Sequence, residues 1–344
     1  MRLSAVAQKL FNSVRSRGDL NMNAPWEIPH SPETSPEDIY YCFRLLLGRS
    51  PNKEEWKGHS GHAWNTALDD VVMSYVNSLE FAQRKNNLLS KRWDEDLFLK
   101  QLDGFSIYVR ESDAAVGRGV KTGSYEPNVT AVFQKHLKPG MHVLDIGANI
   151  GYFTMLSAAL VQQTGSVMAV EPNPENAKLV ELSRRANKFE NITIVQAGAG
   201  RALGLLVLNT AYSNGTTSEL SEDVAQLADA VTVPCLRLDD IVPKDKKIGF
   251  VKIDIEGAEY NALLGASELI RRCHPVIVSE FSPGLMRGIS GVDGEEYLRF
   301  VLDFGYDVSV INPNSSLTPC GKNTDQVMRA YADCGGDHID IVFE

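Results

Sequence analysis

The chain has 344 residues, of which 43% are hydrophobic and 23% are charged, as in ordinary globular proteins. This length is enough for about two domains and for a large core that needs no disulfides. The formal net charge of −10 argues against a nucleic-acid partner, because phosphate binding requires clustered Lys and Arg. The five cysteines are scattered without a C-x-x-C spacing, which argues against a disulfide framework or a zinc cluster and predicts a reducing, cytoplasmic location.

Residues 1–34 are predicted to form a flexible segment and a proline-rich linker. The first 18 residues combine four basic side chains with apolar residues at helical spacing. Two interpretations stay open: a frayed terminus, or an amphipathic helix that makes a peripheral contact with an anionic membrane or a partner protein. The segment lacks the continuous apolar stretch of a secretory signal, and no run in the chain approaches the roughly 18 apolar residues of a membrane span.

Residues 35–92 are predicted to form a small helical domain. Ser35, Pro36 and the two acids that follow are a typical helix start, because a Ser side chain caps the helix and Pro fits its first turn. Gly48 ends the apolar stripe of this first helix. Two further helices are predicted, the last of them over about residues 67–89.

Two segments of this helical domain resemble a known module. They run from Tyr41 to Asn52 and from Tyr75 to Phe81. They are similar to a small domain of unknown function that is related in pattern to phycobilisome linker modules and often accompanies glycan-building enzymes. A plain three-helix cap on the following domain is the alternative, and the two interpretations do not exclude each other.

Residues 93–344 are predicted to form a Rossmann-like α/β domain, with a strand or hairpin lead-in over residues 93–124. Beyond this lead-in, apolar strand-like runs alternate with helical stretches, which predicts a doubly wound, mostly parallel, seven-stranded sheet with helices on both faces. The predicted strands are Val143–Ile146, Ser166–Val170, Ile192–Gln196, Phe250–Ile253, Pro275–Ser279, Asp307–Ile311 and His338–Val342.

A glycine-rich turn follows the first of these strands, in the order Asp145-x-Gly147-x-Asn149-x-Gly151. Ligands of such folds bind at the carboxyl ends of the strands, where Gly147 permits a tight turn and Gly151 is expected to let the next helix pack closely on the strand. The pattern departs from G-x-G-x-x-G, which presents helix amides to a pyrophosphate. An acid at Asp145 instead suits S-adenosylmethionine, which has a cationic sulfonium and no phosphate.

The next two strands supply further candidate cofactor-binding residues. Glu171 ends the second strand, before Pro172 and Asn173, and a carboxylate there accepts the hydroxyls of a ribose; an acid that caps the next helix is the alternative. The third strand ends near Ala197 and Gly198, whose small size leaves room for an adenine ring or serves a tight turn.

Tyr125 and Glu126 precede the helix that leads into the first strand. In folds of this type such a segment lies over the methionine end of the cofactor, where Tyr125 would stack or supply a hydroxyl. Tyr-Glu-Pro is equally compatible with an ordinary helix start.

Three acids are the candidate catalytic residues. Asp254 and Glu256 follow the fourth strand, where side chains of an extended chain two positions apart project the same way, and Glu280 ends the fifth. A carboxylate with a pKa raised by burial would take the proton of an acceptor hydroxyl. Alternatively, Asp254, Glu256 and Glu280 would hold a divalent metal that acidifies a diol, although oxygen ligands leave no firm spacing signature. Glu259 is expected to stabilise the positive end of the next helix.

Together these motifs resemble the FkbM family of methyltransferases. They arrive in the family's order: Tyr125-Glu-Pro, Leu144-Asp-Ile-Gly-Ala-Asn-Ile-Gly-Tyr-Phe-Thr, Val170-Glu-Pro-Asn, Val251-Lys-Ile-Asp-Ile-Glu-Gly-Ala-Glu and Ser279-Glu-Phe. The resemblance implies that S-adenosylmethionine is the cofactor and S-adenosylhomocysteine the product. It also implies O-methylation of a hydroxyl on a sugar, a glycolipid or a secondary metabolite. The helical module favours a glycan or another small-molecule acceptor.

Two other function classes stay open. One is a non-catalytic binding protein that acts through its helical module. The other is an NAD-dependent enzyme, which the absence of G-x-G-x-x-G disfavours. Residues 212–218 and 312–321 are interpreted as polar loops that either connect elements at the surface or recognise a sugar through amides and hydroxyls. The segment around His338 is interpreted as part of an edge strand without a functional role.

Overall fold

The computed structural model describes residues 32–85, 96–113, 116–123, 125–209, 216–218 and 231–344. The chain divides into two compact units, Met1–Glu95 and Asp96–Glu344. The amphipathic N-terminal segment and nearly all of the proline-rich linker lie outside the described residues, so they stay predictions. Within the described residues, no helix is both long enough and apolar enough to cross a membrane.

The described residues of the first unit include three α-helices with the following bounds. They are α1 (Pro36–Tyr41), α2 (Lys53–His59) and α3 (Leu68–Val76). A capping box starts α1, since the Ser35 side chain accepts the amide of Asp38 and the Asp38 carboxylate accepts the amide of Ser35. The chain continues through a π-helical turn, Cys42–Leu47, and leaves it at Gly48 with φ +74°. The helix start and stop predicted from the sequence are therefore confirmed.

The prediction of one continuous third helix over residues 67–89 is wrong. Helix α3 ends at Val76, and a second helical stretch begins at residue 79. The cause is local: the Ser78 hydroxyl accepts the amide of Phe81 at 3.1 Å and so caps a new helix. Leu79, at the start of this second stretch, is 74% exposed.

The second unit begins with a hairpin and then alternates strands with helices. Its strands are β1 (Leu97–Gln101), β2 (Ser106–Arg110), β3 (His142–Ile146), β4 (Ser166–Val170), β5 (Ile192–Val195), β6 (Gly198–Ala199), β7 (Gly204–Asn209), β8 (Thr216–Ser218), β9 (Val231–Leu236), β10 (Ile248–Ile253), β11 (Val276–Phe281), β12 (Val308–Ile311), β13 (Leu317–Gly321) and β14 (Ile339–Phe343). Its helices are α4 (Val116–Thr122), α5 (Pro127–His136), α6 (Tyr152–Val161), α7 (Pro174–Asn187), α8 (Leu238–Ile241), α9 (Glu259–Leu264), α10 (Ser267–Cys273), α11 (Pro283–Ile289), α12 (Gly294–Leu302) and α13 (Thr324–Asp333).

Within the described residues, the large sheet has the order β13-β12-β14-β11-β10-β3-β4-β5. The five strands from β11 to β5 are mutually parallel, whereas β14 is antiparallel to both of its neighbours. Helices occupy the connections between the parallel strands, as expected for crossovers. The predicted Rossmann-like α/β fold is confirmed, and all seven predicted strands are present.

The sheet has an eighth strand, β13, where a surface loop was predicted. Leu317–Gly321 pairs antiparallel with β12, and the Asn312 side chain holds the connecting turn through the Ser316 carbonyl at 3.1 Å and the Thr318 hydroxyl at 2.9 Å. The sequence hid this strand because an edge strand with one solvent-facing side accepts Thr and Pro. Strand β14, in turn, lies inside the sheet, so the interpretation of the His338 segment as an edge strand is wrong.

A second, four-stranded sheet was not predicted. Its order is β6-β9-β7-β8, and its pairs are antiparallel apart from β6 with β9. It is inserted between β5 and β10 of the main sheet.

The core of the second unit surrounds the central strands of the large sheet. Helix α6 packs against β3 and β4, and eight of its ten residues are buried, which explains why its sequence is apolar on nearly every side. The carboxyl ends of β3, β4, β10 and β11 consequently meet at one edge of a rigid sheet. The side chains that follow these strands are therefore held close together.

Candidate active site

A cavity of about 280 Å³ lies at this carboxyl edge. Nine of the predicted site residues line it: Tyr125, Glu126, Gly147, Asn149, Glu171, Pro172, Asp254, Glu256 and Glu280. Its wall also includes residues that the sequence did not single out: Val116, Ala148, Ile150, Tyr152, Phe153, Thr217, Lys252, Ile255, Asp337 and His338. The structure therefore brings together the ends of four strands and the segment before α5.

The glycine-rich turn is fixed between two neighbouring strands. Gly147 has φ +80° and donates its amide to the Val170 carbonyl at 2.9 Å. A Cβ at this position would collide with the Asp254 carbonyl oxygen. The Asp254 amide is itself bonded to the Ile146 carbonyl at 3.1 Å. Glycine is thus required because the turn and the loop that carries Asp254 touch through their backbones.

Asp145 lies beneath this turn rather than in the cavity wall. It is fully buried, and one carboxylate oxygen accepts the Thr154 hydroxyl. The other oxygen, Oδ1, has no hydrogen-bond partner among the described residues. Burial raises the pKa of Asp145, and the nearby Lys252 ammonium opposes this effect.

Gly151 is also outside the cavity wall, with φ +94° at the start of α6. A Cβ there would come within 3.0 Å of the Val180 side chain in α7. The glycine therefore lets α6 pack closely against a neighbouring helix, not against the strand as the sequence suggested.

Glu171 ties the turn to the end of β4. One carboxylate oxygen accepts the Asn149 amide and the other accepts the Asn173 amide, both at 2.8 Å. The side chain is 5% exposed, and burial raises its pKa to about 7 against the effect of these amides. The cap of α7 is the Asn173 side chain, which accepts the Glu175 amide at 3.0 Å, so the helix-capping interpretation of Glu171 is wrong.

Tyr125 and Glu126 form part of the wall from the segment before α5. The Tyr125 ring contacts the Tyr152 and Phe153 rings at centroid distances of 5.1 and 6.0 Å. Glu126 adopts φ +38°, a left-handed conformation that is unfavourable for a residue with a side chain. Burial raises the pKa of Glu126 to about 7, although the Lys252 ammonium lowers it.

Lys252 is a buried cation that the sequence analysis passed over. It is 5% exposed, its Nζ lies 2.8 Å from Oδ2 of Asp254, and it lies 4.9 Å from the centroid of the Phe153 ring. Burial opposes its charge, but the carboxylates of Asp254, Glu126 and Asp145 outweigh burial and raise the pKa of Lys252. The available signal was a lysine within an otherwise apolar strand, directly before a pair of acids.

Asp254 and Glu256 both line the cavity, but for a different reason than predicted. Strand β10 ends at Ile253, and Glu256 has φ +56°, so strand alternation does not aim them. The loop is held instead by Glu259, whose Oε1 accepts the amides of Ile255 at 2.8 Å and Gly257 at 3.3 Å. The expected role of Glu259 at the start of α9 is compatible with this arrangement.

Glu280 lies in the cavity wall at the end of β11, directly opposite Asp340 of β14. Burial and the carboxylates of Asp254 and Glu256, in that order, raise the pKa of Glu280 well above its ordinary value. The protonated form of Glu280, which donates a hydrogen bond, is therefore favoured. Among the described residues, no group of three His, Cys, Asp or Glu side chains is arranged to hold a metal ion. The metal alternative for Asp254, Glu256 and Glu280 stays a prediction.

Three of the predicted residues lie away from the cavity wall for reasons of packing. Asn173 is buried at its helix cap. Ala197 is 1% exposed, and Gly198 belongs to β6, where a Cβ would meet the Leu206 side chain at 2.7 Å. Packing within the second sheet accounts for the glycine at position 198, and the adenine assignment of Ala197 and Gly198 stays a prediction.

Residues 145–308 match the family model described as "Methyltransferase FkbM domain". This part of the chain is thus similar to methyltransferase FkbM domains. The matched range begins at Asp145 and includes the cavity-lining residues from Gly147 to Glu280. The resemblance inferred from the motifs is thereby confirmed.

Similar proteins match parts of the chain. "Methyltransferase 1" of Beauveria bassiana (strain ARSEF 2860) is 27% identical over 146 residues, which is 37% of this chain and 58% of the relative. "Protein-L-isoaspartate O-methyltransferase 1" of Arabidopsis thaliana is 37% identical over 109 residues, covering 29% and 46% of the two chains. A solved structure of methyltransferase FkbM from Methylobacillus flagellatus KT is 17% identical, with a TM-score of 0.39, and covers 62% of this chain and 50% of that chain. The match thus spans about half the length of these proteins.

Proposed function

We propose that the second unit, Asp96–Glu344, is an S-adenosylmethionine-dependent O-methyltransferase. It acts on a hydroxyl of a sugar, a glycan or a glycosylated metabolite. The observation that carries this proposal is the charge of the cavity. Six carboxyl groups line it, from Glu126, Glu171, Asp254, Glu256, Glu280 and Asp337, whereas Lys252 is the one Lys or Arg among its described lining residues. Such a wall attracts the cationic sulfonium and repels a pyrophosphate.

The cofactor orientation follows from the turn. Glu171 presents its carboxylate beside the Gly147–Ile150 backbone, where a nucleoside would place its ribose hydroxyls. Each oxygen already accepts one backbone amide, and a carboxylate oxygen has capacity for a second donor. The methionine end then extends towards Tyr125 and Glu126. Tyr125 and Phe153 provide aromatic surface beside the sulfonium, which cations favour.

The acceptor hydroxyl is assigned to the side of the cavity with Asp254, Glu256 and Glu280. These acids accept and donate hydrogen bonds to neighbouring hydroxyls of a sugar. Methyl transfer requires that the nucleophilic oxygen lie in line with the methyl–sulfur bond, so rigid walls at strand ends are well suited to this reaction. The choice of a glycan acceptor also rests on the resemblance of the N-terminal helical module to domains that accompany glycan-building enzymes.

Calorimetry with S-adenosylmethionine, S-adenosylhomocysteine and NAD+ tests the cofactor assignment. We expect the first two to bind and NAD+ not to bind. Glu171→Gln should weaken the binding of S-adenosylhomocysteine by about 10- to 100-fold, because hydrogen bonds to a charged group contribute about 1.5–3 kcal/mol. Glu190→Gln is the matched control, since Glu190 is exposed and lies outside the cavity wall.

Transfer of a labelled methyl group to a panel of sugars and glycosides tests the reaction. Preference for NAD+, or unchanged S-adenosylhomocysteine binding by the Glu171→Gln variant, would contradict the cofactor site. Cofactor binding without transfer to any hydroxyl acceptor would favour a non-catalytic protein that acts through its helical module.

A further inference from the structure

Two residues on the rim of the cavity form a paired group that the proposed function has not used. His338 and Asp337 both line the cavity, and Nδ1 of His338 lies 2.9 Å from Oδ1 of Asp337. Among the described residues, Nε2 of His338 has no hydrogen-bond partner. A carboxylate bonded to Nδ1 fixes the tautomer in which Nε2 carries a lone pair. Nε2 is therefore available to accept a proton from a molecule in the cavity.

This pair is held against the end of β11. The Ser282 hydroxyl donates to the Asp337 carbonyl at 2.8 Å, and Ser282 is 2% exposed. The Cys334 thiol lies 3.6 Å from the His338 carbonyl. His338 directly precedes β14, and Ile339 and Ile341 of that strand pack towards the core. His338 and Glu280, which pairs with Asp340 of β14, line the same cavity.

The other five acids of the cavity have interactions of their own, Glu256 included. Asp254 is bound to the Lys252 ammonium, and Glu280 lies among carboxylates that favour its protonated form. Glu171 accepts two backbone amides, and Glu126 is hydrogen-bonded to Tyr125 and close to Lys252. Methyl transfer from a sulfonium to a neutral hydroxyl nevertheless requires an acceptor for one proton.

The geometry points to His338 as the general base of the methyl transfer and to Asp337 as the residue that positions it. This inference rests on the proposed function. A lone pair of the acceptor oxygen forms the new oxygen–methyl bond, and the electrons of the methyl–sulfur bond stay on sulfur, which becomes the neutral thioether of S-adenosylhomocysteine. The hydroxyl proton passes to Nε2 of His338, and the imidazolium later releases it to water. The Asp337 carboxylate stabilises this imidazolium.

The test compares His338→Ala with the unmodified 344-residue chain in steady-state methyl transfer to a sugar acceptor. We expect kcat to fall about 10²- to 10⁴-fold, which is the usual contribution of a positioned general base. S-adenosylhomocysteine affinity should stay within threefold. Added imidazole should raise the rate of the His338→Ala variant at least tenfold, because His338 is exposed at the rim and a free imidazole ring can occupy its position.

Three further variants complete the design. Asp337→Asn should lower kcat about tenfold. Imidazole should not rescue this variant, because it still contains His338. His62→Ala is the control, since His62 is an exposed histidine of the other unit. Glu126→Gln tests Glu126 as the competing base. The inference would be overturned if Glu126→Gln lowered kcat as much as His338→Ala does and imidazole did not rescue the His338→Ala variant.

The outcomes separate this inference from the proposed function. If the wild-type chain binds no S-adenosylmethionine, the proposed function fails. If the wild-type chain transfers methyl groups and His338→Ala retains more than half of the rate, only the inference about His338 fails. Loss of cofactor affinity in both His338→Ala and His338→Gln would show a structural role and would also overturn it.

Discussion

Replacement of Lys252 by Met would remove the cation on which the buried acids of the cavity depend. Its Nζ lies 2.8 Å from the Asp254 carboxylate, and the two side chains are 6% and 24% exposed. At this separation and an effective dielectric constant of 20, the attraction is about 6 kcal/mol, and the cost of desolvating both charges offsets part of it. Since removal of one partner leaves an unpaired buried charge, we expect Lys252→Met to lose about 3–5 kcal/mol of unfolding free energy.

Urea denaturation at pH 7 measures this loss. Lys121→Met is a closely matched control, because Lys121 also pairs with a carboxylate, Glu111 at 3.0 Å, and also lies over a ring, Phe98 at 5.5 Å. The Glu111 side chain is 71% exposed, so this pair should contribute at most about 1 kcal/mol. The double variant Lys252→Met/Asp254→Asn should lose about 1–3 kcal/mol less unfolding free energy than the two single variants lose in sum. A Lys252→Met variant as stable as the Lys121→Met control would refute the reasoning.

Two further outcomes concern the same edge of the sheet. Gly147→Ala should cost about 2–4 kcal/mol, seen as a lower urea midpoint, because a Cβ would collide with the Asp254 carbonyl and φ is +80°; a midpoint equal to that of wild type would contradict the contact. The folded-state pKa values of Glu126, Glu171 and Glu259 are raised to about 7, so their stabilising contribution is complete below about pH 4.5 and is lost as pH rises through 7. Unfolding free energy of the ligand-free chain should therefore fall between pH 5 and 8, and Glu259→Gln should flatten the fall; a flat wild-type profile would oppose this.

Much of the second unit could be predicted from the sequence, because its strands are buried and therefore apolar over their whole length. Strand β4 was placed with the same bounds. Strand β13 escaped, since Thr, Pro and Cys at an edge carry no apolar pattern. The second sheet escaped because β6 is two residues long and because β6 and β7 pair with β9, which is distant along the chain.

The site was predicted where function follows from position at a strand end. Glu171, Asp254 and Glu280 each end or directly follow a parallel strand, and the fold alone brings them to one edge. Lys252 could not be assigned in this way, because a lysine within a strand shows its partners only after the neighbouring strands are in place. His338 was missed for a related reason: the strand that it precedes, β14, is inserted between β12 and β11 by an antiparallel turn-back that no local pattern encodes.

Backbone strain points to the same cavity independently of charge. Glu126, Asn149 and Glu256 have φ values of +38°, +49° and +56°, and all three line it. Each such conformation costs on the order of 1 kcal/mol for a residue with a side chain, and the buried acids add a cost of their own near neutral pH. A ligand with a positive charge would offset the second cost, since it favours the ionised carboxylates that burial disfavours. The features that weaken the empty fold are thus those that would bind a sulfonium, which is why stability and cofactor affinity should respond in opposite directions when pH rises from 5 to 8.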